Sequence, residues 1–157
     1  GISGEISSEL VKRIENESRA REANIIILSI GLNDSQYMKT KDHPRTSIDK
    51  FEKNLDVLLE STKKLNAQAV FLGLTPIDDT KTQPIPWDQE KYYDTENVKR
   101  YNDRIEKFCK QKGESFISME NIFPLSTMDD GLHPNPRGHE AIFQRVKEYL
   151  QKERVQL

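Results

Sequence analysis

Two short apolar runs, 24–30 (NIIILSI) and 68–74 (QAVFLGL), constrain the fold more than any other feature of this chain. Both are continuous rather than alternating, and the first is rich in β-branched residues, which predicts strands buried on both faces, as in parallel sheets. Segments of helical period surround them. Residues 5–22 place Ile6, Leu10 and Ile14 on one narrow stripe, with Val11 beside it. Residues 47–65 repeat Ile48, Phe51, Leu55, Leu58 and Leu59 at steps of three and four, behind a Ser47 cap and an acidic first-turn Asp49. Residues 95–112 carry Val98, Tyr101, Ile105 and Phe108 up to a stop at Gly113, 115–118 read as a short strand, and 137–153 form a last helix with Ala141, Ile142, Val146, Tyr149 and Leu150 inward. This alternation predicts an α/β fold, a parallel sheet with helices on both faces. In such a sheet ligands bind outside the carboxyl ends of the strands. The segments 31–46, 75–93 and 119–136 are therefore where chemistry is expected.

Composition narrows the function. The chain has 157 residues, one domain's worth, with 24 basic and 26 acidic side chains for a net charge of −2. That balance argues against a nucleic-acid partner bound through its phosphates. No apolar stretch approaches the ~20 residues of a membrane span. The single cysteine, Cys109, can form neither an internal disulfide nor a cysteine-rich metal site; it points to a reducing, cytoplasmic setting and reads as a small core residue. No Gly-x-Gly-x-x-Gly or Walker-type loop follows either full strand, which disfavours a nucleotide binder.

The last segment holds Asp130-Gly131-Leu132-His133-Pro134-Asn135. A carboxylate three residues before a histidine can reach its Nδ1–H, fix the tautomer and stabilise the imidazolium, leaving Nε2 to act as general base. Alone, the pattern is equally open to a loop histidine without a role or a metal ligand. His43 lacks an acid three residues back, and His139 lies in the opening turn of the last helix. The first segment opens Gly31-Leu32-Asn33-Asp34, where the amide of Asn33 at a strand's carboxyl end can donate to an oxyanion, or the four residues can form an ordinary turn. The chain begins with a Gly/Ser loop, 1–8, leading into a helix, a place where backbone N–H groups can meet an anion.

Together, in this order, these pieces resemble the SGNH (GDSL-type) hydrolases, which are esterases, lipases, thioesterases and carbohydrate deacetylases on a flavodoxin-like three-layer α/β fold. Ser3-Gly4-Glu5 looks like the family's glycine motif, Gly31–Asp34 matches its Gly-x-Asn-Asp motif, and Asp130–His133-Pro134 matches its Asp-x-x-His-Pro motif. The resemblance implies that His133 is the general base, Asp130 its partner, and Asn33 and the N–H of Gly4 two oxyanion donors. It implies a small-molecule ester substrate, no cofactor and no metal. Asp129, one residue too far from His133 for the motif, is expected to be solvated. The long 75–93 connection overhangs the cleft with Trp87, Tyr92 and Tyr93, aromatics that either contact an acyl chain or a sugar face, Trp87 and Tyr92 being the candidate substrate contacts, or simply pin the loop to the body.

One departure governs the reading. No Gly-Asp-Ser segment occurs in the sequence, so the resemblance places the nucleophile, with one or two strands, upstream of Gly1 in a single domain that is N-terminally incomplete. Ser3, Ser7, Ser8 and Ser35 fall at positions that are not nucleophilic in the family. Without its neighbour, the 24–30 strand would expose an edge, and that edge is expected to pair with an upstream, exchanged or symmetry-related segment. Two functions follow. One is a serine ester hydrolase, inactive as this polypeptide alone; the other is a ligand-binding relative without a nucleophile. The acyl and alcohol groups stay open among acetylated sugars, short-chain esters, lysophospholipids and thioesters.

Overall fold

A computed structural model describes residues 2–152; Gly1 and Glu153, which belong to the opening loop and the last predicted helix, lie outside the described residues. In chain order the elements are α1 (Ser7–Leu10), α2 (Ile14–Ala20), β1 (Ile25–Leu28), α3 (Leu32–Ser35), β2 (Tyr37–Met38), α4 (Ile48–Lys64), β3 (Gln68–Leu72), β4 (Lys91–Tyr92), α5 (Thr95–Lys112), β5 (Ser115–Ile117) and α6 (Pro136–Lys152). Strands β1, β3 and β5 form a parallel sheet in the order β1-β3-β5, with Ile25 opposite Gln68 and Val70 opposite Ser115. On one face Ile26, Leu28, Ala69 and Phe71 pack against Phe51, Leu55, Leu58 and Leu59 of α4 and Tyr101, Ile105 and Phe108 of α5. On the other, Val70, Leu72, Ile117 and Met119 meet Ile142, Val146 and Tyr149 of α6. These three layers are the α/β architecture that the apolar blocks predict. Cys109 is buried in the first of these clusters, as a small core residue should be.

Helices α4 and α5 follow their predicted spans closely because their stripes are strong and their ends are capped. Ser47 Oγ accepts from Lys50 N at 3.4 Å, and Asp94 Oδ1 accepts from Asn97 N at 2.7 Å. The first predicted helix, 5–22, is instead two short helices. Residues 11–13 close three-residue turns between them, with Lys12 N on Glu9 O and Arg13 N on Leu10 O. Arg13 stands at the break, forked onto the carboxylate of Glu5 and bonded to Glu17 Oε2 at 2.6 Å. A narrow apolar stripe cannot hold a straight helix against such a polar anchor. Two of the predicted loops also carry structure: β2 in 31–46 pairs with β4 in 75–93, Tyr37 opposite Tyr92.

The prediction that 24–30 is buried on both faces holds for only one face. Ile26 and Leu28 are buried, but Ile27 is 41% exposed. The reason is position. Strand β1 stands at the sheet's edge, and among the described residues no strand hydrogen-bonds to its outer side. A groove of about 430 Å³ runs along it, lined by Leu10, Arg13, Ile14, Ile27 and Ser29 among others. β3, in the middle of the sheet, is buried on both faces from Ala69 to Leu72. Among the described residues no helix is long and apolar enough to cross a membrane.

Candidate active site

The carboxyl ends of β1, β3 and β5 release the chain segments that carry the predicted site residues other than Gly4, which lies in the loop ahead of α1. After β5 the chain runs through a single 3₁₀ turn, Leu125–Thr127, to Asp130. Asp130 Oδ1 accepts the N–H groups of Leu132 at 2.9 Å and His133 at 2.7 Å, while Oδ2 lies 2.7 Å from His133 Nδ1. Burial pushes the Asp130 carboxyl up, but the hydrogen bonds from the His133 N–H, the His133 ring and the Leu132 N–H outweigh it, holding the group below the ordinary carboxylate range. An ionised Asp130 orients the imidazole by Nδ1 and leaves Nε2 as the nitrogen for proton transfer. The His133 side chain is 66% exposed, so that nitrogen is reachable. Asp129 is exposed. Asn135 then caps α6, its Oδ1 taking Arg137 N at 3.0 Å and Gly138 N at 3.3 Å.

Gly131 lets this loop sit against the long connection. Its φ is +80°, and a Cβ there would lie 2.7 Å from Lys81 Cβ and 3.0 Å from Asp78 O. The Gly131 carbonyl accepts from Asp78 N at 2.8 Å. Leu132 packs with Ile77, Ile85, Tyr93 and Val98 in a cluster between the two segments.

Asn33 lies in α3, directly after β1. Its Nδ2 donates to Glu5 O at 3.0 Å and its Oδ1 accepts from Tyr93 Oη at 2.9 Å. Beside it, Asp34 is fully buried and grips the start of α1: both its oxygens accept from Ser7 N, at 3.1 and 3.0 Å, and Oδ1 accepts from Ser7 Oγ at 2.5 Å. Burial pushes the Asp34 carboxyl up, and the Ser7 hydroxyl and N–H work against that rise. Asn54 of α4 completes the network, donating to Ser7 Oγ at 2.8 Å and Ser8 Oγ at 2.9 Å. Gly4 is exposed on the loop so anchored, its carbonyl accepting from Arg45 Nη1 at 3.0 Å. A hollow of about 170 Å³ opens here, lined by Ile2, Ser29, Gly31, Asn33, Leu74 and Thr75 among others.

The site residues predicted from sequence thus fall into two groups, Gly4 with Asn33 and Asp130 with His133, and Tyr93 and Leu132 of one apolar cluster bridge them. Trp87 is 53% exposed, with its ring centroid 5.4 Å from that of His133. Tyr92 sits in β4 opposite Tyr37, and it is its neighbour Tyr93 that reaches Asn33. Sequence reasoning left the roles of Tyr93, Asp34 and Asn54 unassigned. The double tyrosine and the Asp of the Gly-x-Asn-Asp segment were visible, but which side chain points inward was not. Ser7 and Ser35 are committed to structural bonds, Ser35 Oγ to Leu32 O at 2.7 Å. His43 and His139 are exposed. Among the described residues no three His, Cys, Asp or Glu side chains gather as a metal site.

Solved structures share this architecture. A GDSL-like lipase from Bacteroides thetaiotaomicron superposes with a TM-score of 0.78 at 19% identity, over 98% of this chain and 74% of that one. A lipase/acylhydrolase from Enterococcus faecalis gives 0.75 at 13% identity, over 96% and 72%. An acetylxylan esterase from Geobacillus stearothermophilus, solved as a catalytic mutant, gives 0.69 at 20% identity, over 94% and 68%. At these identities the likeness is one of fold, and no curated protein matches the sequence. The sequence profile of the GDSL-like lipase/acylhydrolase family, however, matches residues 1–141, most of the chain and all of its site segments. The chain belongs to the GDSL-like lipase/acylhydrolase family.

Proposed function

We propose that this chain supplies the base, its orienting acid and two oxyanion donors of a serine ester hydrolase. The observation that carries the reading is the Asp130–His133 pair, with Nδ1 2.7 Å from an ionised carboxylate and the ring open to solvent. Asn33 is tied to the His133 loop through Tyr93, which bonds Asn33 and packs with Leu132, and this link supports the assignment of Asn33 and Gly4 as the donors. The nucleophilic serine comes from a strand that pairs along the open edge of β1 and ends beside the hollow at Asn33.

In this mechanism the serine Oγ attacks the ester carbonyl while His133 Nε2 takes its proton, and Asp130 stabilises the imidazolium. The tetrahedral oxyanion receives hydrogen bonds from Asn33 Nδ2, the Gly4 N–H and the nucleophile's own N–H. Collapse expels the alcohol, which leaves with the proton from Nε2. Water then repeats the sequence on the acyl-enzyme, releasing the acid and restoring the serine. The hollow of about 170 Å³ suits a short acyl group, and Trp87, exposed beside the His133 ring, suits the alcohol side. Tyr92, half-buried in β4, is the weaker of the two aromatic contacts.

The test is turnover of p-nitrophenyl esters of increasing chain length by the full-length protein and by His133→Ala. The reading expects acetate to be preferred and the variant to lose about 10³-fold or more in kcat. Undiminished turnover in the variant rejects the assignment of His133. Ligand binding by the full-length protein without any turnover makes it a nucleophile-less binding relative instead.

A further inference from the structure

The hydroxyl of Tyr93 is buried at the bottom of the 75–93 connection, and the mechanism does not use it. Its side chain is 1% exposed, packed among Ile77, Ile85, Val98 and Leu132. Its backbone is locked on both sides to Thr82: Tyr93 N donates to Thr82 O at 2.9 Å, and Thr82 Oγ1 donates to Tyr93 O at 3.0 Å. From this fixed frame Oη donates to Asn33 Oδ1 at 2.9 Å.

An asparagine amide has nearly the same shape when flipped, so an oxyanion donor of this type must be held in one orientation. If the oxygen faced the developing negative charge, it would repel it. Glu5 O can only accept, and it takes one Nδ2 hydrogen at 3.0 Å. Tyr93 supplies the matching donor to Oδ1. With both anchors in place the amide is fixed in plane and the second Nδ2 hydrogen is left for the cleft. A hydrogen bond to the amide oxygen also polarises the N–H groups, which strengthens them as donors.

We infer that Tyr93 is a positioning residue for the oxyanion site: its hydroxyl sets the Asn33 amide, and through it the long connection governs turnover rather than substrate binding. This rests on the hydrolase reading. Burial pushes the Tyr93 phenol up to about 12, so it remains a donor across the working range of an esterase.

The experiment compares Tyr93→Phe with Tyr101→Phe in the full-length protein. Tyr101 is equally buried, and its hydroxyl donates to Thr46 O rather than to Asn33, so both variants lose one buried hydrogen bond. For Tyr93→Phe, kcat on p-nitrophenyl acetate should fall about tenfold with KM within about twofold, a part of the 10²–10³ that deleting an oxyanion donor costs. The side-chain amide signals of Asn33 in ¹⁵N–¹H spectra, assigned by their loss in Asn33→Asp, should move. For Tyr101→Phe, stability should fall with kcat unchanged. Unmoved Asn33 signals in Tyr93→Phe overturn the proposal, as does an equal loss of kcat in both variants or a change confined to KM. Absence of turnover in the wild-type protein is a different failure, that of the hydrolase reading, and removes the role of Tyr93 with it.

Discussion

Replacing Gly31 by alanine tests two physical claims at once. Gly31 opens the segment that carries Asn33, and its φ is +126°. A Cβ at this position would lie 2.9 Å from Phe51 Cζ, 3.3 Å from Leu74 Cδ2 and 3.4 Å from Ile105 Cδ1. The backbone conformation alone costs an L-residue about 1–3 kcal/mol. The contact with Phe51 adds about 1–3 kcal/mol of overpacking, because Phe51 is fully buried against Tyr101, ring centroids 5.1 Å apart, and has nowhere to move. The sum is about 4 kcal/mol. With a urea m-value of about 2 kcal/mol per molar, the unfolding midpoint should fall by roughly 2 M. Circular dichroism through a urea titration reads this directly. The companion Gly31→Ala/Phe51→Leu separates the terms: trimming the ring relieves the steric part and leaves the backbone part, so it should destabilise less than the sum of its two single variants. A loss below about 1 kcal/mol for Gly31→Ala would show that neither backbone nor ring constrains this turn, and the reasoning would be wrong.

The Asp130 carboxyl titrates lower in the folded chain than in the unfolded one, so the unfolded state binds more protons as pH falls. The stability that Asp130 adds is present above the ordinary carboxylate range and is lost as pH drops through the lowered value; the gap between wild type and Asp130→Asn in thermal melts should close on that acid limb. Asn54→Ala removes two donors from the buried Ser7–Ser8 network and should cost about 1–3 kcal/mol, measured by urea unfolding; a neutral result would mean that α1 does not depend on α4 for its anchoring. Ile27→Lys should leave the melting temperature of the 157-residue chain within a degree or two and destabilise the full-length protein strongly, because the proposed partner strand would bury that face. Equal effects in both proteins would reject the pairing.

Much of this molecule is legible in its sequence because long periodic segments report their own burial. The stripes of α4 and α5 were strong enough to override local detail, and the Asp130–His133 geometry follows from a three-residue separation that one turn can close. What was hidden depends on neighbours far along the chain. Periodicity over 5–22 could not reveal that Arg13 would fork onto Glu5 and interrupt the helix, since that is an interaction across a turn. The composition of 24–30 signals burial on two sides, but burial is a property of the neighbouring layers, and at the edge of this sheet one layer is open. In Tyr92-Tyr93 two identical side chains sit next to each other on extended backbone, so they point opposite ways. Only the register of β4 against β2 decides that Tyr93 is the inner one.

The pair of hydrogen bonds between Thr82 and Tyr93 has a consequence for variation in this protein. It closes the stretch 83–92 at its base, upstream of the point where Tyr93 holds Asn33, while Asp78 N on Gly131 O fastens the connection separately to the loop of His133. Within the stretch, β4 pairs with β2, Lys39 N donates to Glu90 O, and Ile85 is buried against Tyr93 and Leu132, so its two arms are fastened as well and only the tip between them, which carries Trp87, is not. The exchangeable part is therefore the turn between Ile85 and Glu90: variation there changes what lies over the imidazole, while Asn33 and His133 keep their places.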